Sequence, residues 1–109
     1  MLKTGYLGDV KLQIELADNF WRRFLGLMGR KRLPAGRGLL ITSCNSVHMC
    51  FMRFPIDVVY FDKDYTVLKI VRRLRPWLGV SFCRGAYAAL ELTAGATNLD
   101  TMIGQRLRY

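Results

Sequence analysis

The sequence predicts a β-rich α+β domain: a single compact antiparallel sheet or partly open barrel with one early amphipathic helix. Short apolar runs of strand length, bounded by Gly, Pro and Asp, recur along the chain. One early segment instead has helical spacing. The length, 109 residues, is that of one domain spanning 1–109. A chain of this size buries about two-thirds of its surface on folding, enough for a core without disulfides.

Val10, Leu12, Ile14 and Leu16 alternate with Lys11, Gln13 and Glu15, the period of a half-buried strand. Asp18 can cap a helix running to about Met28. Its apolar residues Phe20, Trp21, Phe24, Leu25, Leu27 and Met28 share a wide face opposite Arg22 and Arg23. Residues 31–38 contain Pro34, Gly36 and Gly38 and read as a loop. Strands are expected at 39–42, 47–52, 56–61 and 66–71, with Pro55 and the Asp62–Tyr65 turn as breaks. Residues 72–85 read as irregular and 86–92 as a strand. Residues 98–103 read as one helical turn, and 105–108 as a last strand. Tight turns between short strands favour antiparallel pairing.

Composition is that of a globular chain, 51% hydrophobic and 23% charged. No apolar run approaches the ~18 residues of a membrane-spanning helix. The opening Met1-Leu2-Lys3-Thr4-Gly5-Tyr6 has no apolar stretch of the kind a signal peptide needs. These features argue against a membrane channel, a multidomain enzyme and a secreted mini-protein. They point to a cytoplasmic protein, with a peripheral place at a membrane surface kept open.

Charge is lopsided: 17 Lys and Arg against 8 Asp and Glu, a net of +9. Most of the cations are Arg, whose fork of donors matches phosphate and carboxylate. They cluster. Arg22, Arg23, Arg30, Lys31, Arg32 and Arg37 have no acid among them, nor do Lys69, Arg72, Arg73, Arg75 and Arg84. Such a field draws polyanions: nucleic acid, an anionic lipid surface or an acidic protein. Within Arg72-Arg73-Leu74-Arg75-Pro76-Trp77 a planar ring stands among guanidinium groups, a pairing suited to stacking and phosphate contact. Arg72, Arg73, Arg75, Trp77, Arg30 and Arg32 are therefore the candidate anion-binding residues.

His48 is the sole histidine. Asp57 sits in an apolar run, where a carboxylate must find partners. If 47–52 and 54–61 form a hairpin, His48 and Asp57 fall opposite each other as an acid–base pair, with Arg53 orienting an anion. The alternative is that Asp57 anchors a turn by accepting hydrogen bonds. Glu91 is flanked by Leu90 and Leu92 and is expected to pair with an Arg. Cys44, Cys50 and Cys83 read as reduced thiols. The spacing of Cys44 and Cys50 fits no standard zinc pattern, and a strand between them is too long for a shared metal or a disulfide. No metal or cofactor is expected. No Gly-x-Ser-x-Gly turn, phosphate-binding loop or dinucleotide fingerprint is present.

Arg23, Gly26-Leu27-Met28, Arg30, Leu33-Pro34 and Gly38-Leu39-Leu40, then the stretch from Val47 to Asp62, then Pro76-Trp77, Leu90-Glu91-Leu92 and Ala94-Gly95, form three ordered motifs. They resemble the signatures of the family known as domain of unknown function 192, over about residues 10–108. The resemblance implies a small β-rich domain with one early helix and implies no reaction. One departure stands out: the family usually has Gly-Asp before its last apolar residue, and this chain has Gly104-Gln105. Scarce catalytic residue types and plentiful basic clusters favour a non-enzymatic binding or accessory domain. A small acid–base enzyme centred on His48 and Asp57 is the alternative, and a thiol or metal protein a further one. Neither the partner nor the oligomeric state follows from the sequence.

Overall fold

A computed structural model describes residues 2–17, 33–49 and 52–109. Nine strands are present in chain order: β1 (Leu2–Leu7), β2 (Val10–Ala17), β3 (Arg37–Thr42), β4 (Ser46–His48), β5 (Ile56–Phe61), β6 (Val67–Leu74), β7 (Val80–Phe82), β8 (Ala88–Thr93) and β9 (Leu107–Arg108). Seven form one sheet in the order β6-β5-β8-β3-β2-β1-β9; β4 and β7 form a separate two-stranded ribbon.

The sheet begins with a hairpin. Gly8 and Asp9 join β1 to β2, and Gly8 takes φ 58°. Glycine at the first position of a two-residue loop gives a turn whose twist matches the strands. Only Gly5 and Leu7 of β1 are buried, so that strand carries little alternation. Its sequence signal is the turn: Gly-Asp between two apolar runs. β2 then behaves as its period predicts, with Leu12 and Ile14 inside.

The sheet curls until its edges meet at one corner. Thr66, just before β6, bridges Arg106, just before β9. Val67 N donates to Gln105 O at 2.8 Å, and Leu107 N to Tyr65 O at 2.8 Å. Inside the curl lie Leu12, Ile14, Leu40, Val59, Phe61 and Leu90, closed off by Leu99, Met102 and Leu107. On the outer face Leu39, Ile41, Ile56, Val58 and Tyr60 are covered by Val47, Met49, Met52 and Cys83. Central strands are thus buried on both faces, and all six residues of β5 are buried. This is why β5 reads as a continuous apolar run rather than an alternating one.

Two parts of the fold-class expectation are corrected. Every element among the described residues is a strand, so the domain is all-β there; the helix expected from Asp18 to Met28 lies outside the described residues. The sheet is also neither single nor purely antiparallel. β2 and β3 pair in parallel, from Gln13↔Arg37 to Ala17↔Ile41. Parallel neighbours need a connection of about a dozen residues or more, and residues 18–36 supply one. Reasoning from tight turns could not reveal a pair whose connection is long. Residues 98–103 form turns, with Met102 N donating to Leu99 O at 3.2 Å.

Candidate functional site

β6 is the last strand of the large sheet, tied to the residues before β9 only at its start, and runs beside β5 with two register shifts. The first lies between Ile56 and Val58, where two residues, Arg72 and Arg73, stand against the single Asp57. Arg73 takes φ 51°, the left-handed region that non-glycine residues seldom occupy. Asp57, 2% exposed, holds the bulge. Its Oδ1 accepts from Arg73 N at 2.9 Å, and its Oδ2 accepts from Gly95 N at 3.0 Å. Gly95 itself has φ 75° in the turn after β8. One carboxylate therefore ties two irregular backbone segments to the central strand. The Pro-Ile-Asp signature is explained by this local need: a doubly accepting side chain where the edge strand kinks.

Arg72 and Arg73 sit at the bulge, and Arg75 follows directly after β6. All three are exposed, as are Lys69 and Arg84. Arg72 meets Asp100 at 3.1 Å, and Lys69 Nζ donates to Phe82 O at 3.0 Å. A depression of about 290 Å³ lies between Arg72, Arg73, Arg75, Leu78 and Val80.

The chain then turns sharply at Pro76 and Trp77. Trp77 N donates to Met49 O at 2.7 Å, Met49 N donates to Gly79 O at 2.9 Å, and Gly79 N donates to Arg75 O at 3.0 Å. Met49 is fully buried, so the turn is pinned to the core. Trp77, at φ 68°, stands 56% exposed at its tip. A left-handed backbone is unusual for so bulky a residue.

β7 comes next, with its pattern reversed. Ser81 points inward, where it accepts a hydrogen bond from Tyr60 Oη at 3.0 Å. Val80 and Phe82 point outward and are 75% and 55% exposed. Burial pushes the Tyr60 hydroxyl up to about 12, against the opposing pull of the Ser81 hydrogen bond. Burial likewise raises the Tyr65 hydroxyl, and the neighbouring Tyr109 hydroxyl, 3.1 Å away, adds to the shift.

The hairpin that would set His48 against Asp57 does not form, because β4 pairs with β7 rather than β5. His48 is exposed on the ribbon's outer face, opposite Val80. Asp57 lies within β5 of the large sheet. No hydrogen bond or ion pair among the described residues joins His48, Asp57 and Arg53; Arg53 is exposed in the loop before β5. Through β7, His48 has Val80 as its Cα partner. Arg30 and Arg32 lie outside the described residues, as does Cys50. Cys44 and Cys83 are free thiols, half-buried and buried. Among the described residues no three His, Cys, Asp or Glu side chains gather as metal ligands would. Glu91 is buried and partnered. Gln105 lines a second, open depression with Gly8, Asp9, Asn98 and Thr101.

Leu78, Val80 and Phe82 are functional candidates that the sequence pattern did not single out, although a signal was there. Leu78-Gly79-Val80-Ser81-Phe82 has period two. Such a period marks a strand with two faces, but the usual rule puts the apolar face inside, and here it is outside.

A family model described as Uncharacterized ACR, domain of unknown function 192, matches residues 3–109. A UPF0127 protein of Pyrococcus furiosus is 35% identical, with 100% of this chain and 97% of the relative covered. A protein of unknown function from Novosphingobium aromaticivorans superposes with a TM-score of 0.87 at 21% identity, covering 99% of this chain and 85% of the other. A Sinorhizobium meliloti protein described as a suspected transcription regulator gives a TM-score of 0.81 at 27% identity, covering 90% and 81%. With its three motifs in order and the family model matched from residue 3 to residue 109, the chain belongs to the family of domain of unknown function 192.

Proposed function

We propose that the protein is a non-enzymatic binding or accessory domain that meets an anionic partner through the β6 edge and the turn after it. One observation carries this reading. Lys69, Arg72, Arg73, Arg75 and Arg84 are all exposed, and Glu91, the one acid between Asp64 and Asp100, is buried. Arg forks on such a surface suit phosphate or carboxylate. Asp57 gives both oxygens to main-chain donors, which supports an anchoring role over acid–base work.

Retention on heparin, a polyanion without bases, tests the reading. The wild-type protein is expected to bind at low salt and elute as salt rises. Replacing Arg72, Arg73 and Arg75 by Ala is expected to move elution to lower salt. Equal, negligible retention of the wild type at low and high salt would remove the proposal.

A further inference from the structure

A sheet edge lined with Lys and Arg has a ready structural explanation, since charge on an edge strand blocks edge-to-edge aggregation. That explanation covers Lys69, Arg72 and Arg73. It does not cover the residues next in the chain. Among the described residues nine large hydrophobics are exposed, and four of them, Trp77, Leu78, Val80 and Phe82, fall within six positions. Leu78 is 82% exposed. Turning β7 over by one register step would bury Val80 and Phe82 and expose Ser81. The fold does the reverse and holds Ser81 inside by its bond from Tyr60.

Resting on the anionic-partner reading, we infer that this face docks onto an anionic lipid bilayer. In that arrangement Leu78, Val80, Phe82 and Trp77 enter the headgroup–acyl boundary. Lys69, Arg72, Arg73 and Arg75 meet the phosphates around them. Both chemistries sit on one surface, since Leu78 and Val80 line the same depression as Arg72, Arg73 and Arg75. Bilayer interfaces take up aromatic and aliphatic side chains flanked by long cationic ones, whose stems lie along the apolar layer while their heads stay wet. The attachment is peripheral: among the described residues no helix is long and apolar enough to cross a membrane.

Charge and shape favour this occupant over two others. Nucleic acid satisfies the guanidinium groups and can stack on Trp77 or Phe82, but it leaves Leu78 and Val80, the two most exposed apolar side chains of the face, without an apolar partner. A second copy of this chain covers the apolar residues, but it sets one Arg cluster against another in a protein of net charge +9. The turn holding Trp77 and Leu78 is pinned to Met49 by two main-chain hydrogen bonds. The apolar tip is therefore preformed and loses little freedom on docking.

Co-sedimentation with vesicles tests the inference. One set contains phosphatidylcholine mixed with phosphatidylglycerol, and the other phosphatidylcholine alone. The wild type is expected to bind the mixed vesicles, less so in high salt, and to bind the neutral ones weakly. Each Arg replaced by Ala should weaken binding about five-fold. The double variant Leu78→Ser, Phe82→Ser should weaken it roughly ten-fold or more, with its heparin retention unchanged. Leu78 and Phe82 are exposed, so the double variant should keep the wild-type melting temperature, and a melt of every variant confirms that it folds.

The outcomes separate the two readings. Heparin retention without vesicle binding, or vesicle binding that the Leu78→Ser, Phe82→Ser variant leaves intact, overturns the membrane inference alone. Tight, salt-dependent binding to duplex DNA without vesicle binding assigns the face to nucleic acid and also overturns it. So does a wild-type dimer in analytical ultracentrifugation that this variant dissolves. Failure of the wild type on both heparin and anionic vesicles overturns the inference together with the reading beneath it.

Discussion

Replacing Asp57 tests whether its carboxylate is an anchor or a reactive group. Its two oxygens accept from the main-chain N–H groups of Arg73 and Gly95, and it is 2% exposed. In Asp57→Ala both donors lose their acceptor. A fully buried donor left unpaired costs about 1–3 kcal/mol; these two bonds are part-buried, so about 2–6 kcal/mol is the ceiling for the pair, reduced by whatever entering water restores. Asp57→Asn keeps one acceptor oxygen but turns an NH₂ toward the second N–H. It should therefore lose about half as much. A domain of this size has only about 5–15 kcal/mol in total. Each kcal/mol lowers the melting temperature by about 4–8 °C in a chain near this length. Thermal melts followed by circular dichroism should order the proteins wild type, then Asn, then Ala. An Asn variant as stable as wild type, or more stable, would refute the reasoning. It would mean that the charge is held at a cost to the fold, as a catalytic carboxylate often is.

Two further perturbations probe the same structure. The Tyr60 hydroxyl is raised from 10.0 to about 12 in the folded protein, and Tyr65 is raised in the same direction. A raised pKa favours the fold while the unfolded hydroxyl stays protonated. That contribution is fully present below about pH 10 and is lost as pH climbs through the folded value, so denaturant midpoints should hold steady to about pH 10 and then fall. A midpoint unchanged between pH 10 and 12 would contradict the burial of Tyr60. Arg72→Ala breaks an ion pair whose side chains are 50% and 73% exposed; the melting temperature should move by no more than ~1 kcal/mol implies, and a larger drop would contradict the assignment of the pair to the solvated surface.

Much of the sheet is legible in the sequence because strand formation is a local matter. The alternation from Val10 to Leu16, the apolar run from Ile56 to Phe61 and the Asp62–Tyr65 turn each carry their own signal within a few residues. All three appear where local reasoning puts them. The basic cluster from Lys69 to Arg84 is legible too, since net charge needs no geometry, and so are the three motifs that identify the family.

Tertiary structure decided which strands meet and which faces turn inward. The parallel pairing of β2 with β3 depends on residues 18–36 connecting distant ends, and no dipeptide encodes it. β4 pairs with β7 rather than with its near neighbour β5, which removes the register that would bring His48 to Asp57. The partners of Asp57 lie 16 and 38 residues away and are main-chain groups, invisible to any reading of side-chain types. β7 is the clearest case. Its period of two was present in Leu78, Val80 and Phe82, but a period specifies two faces without saying which one the core needs. The core chose Ser81, because Tyr60 there required a hydrogen-bond acceptor, and so left the apolar side of the strand facing out.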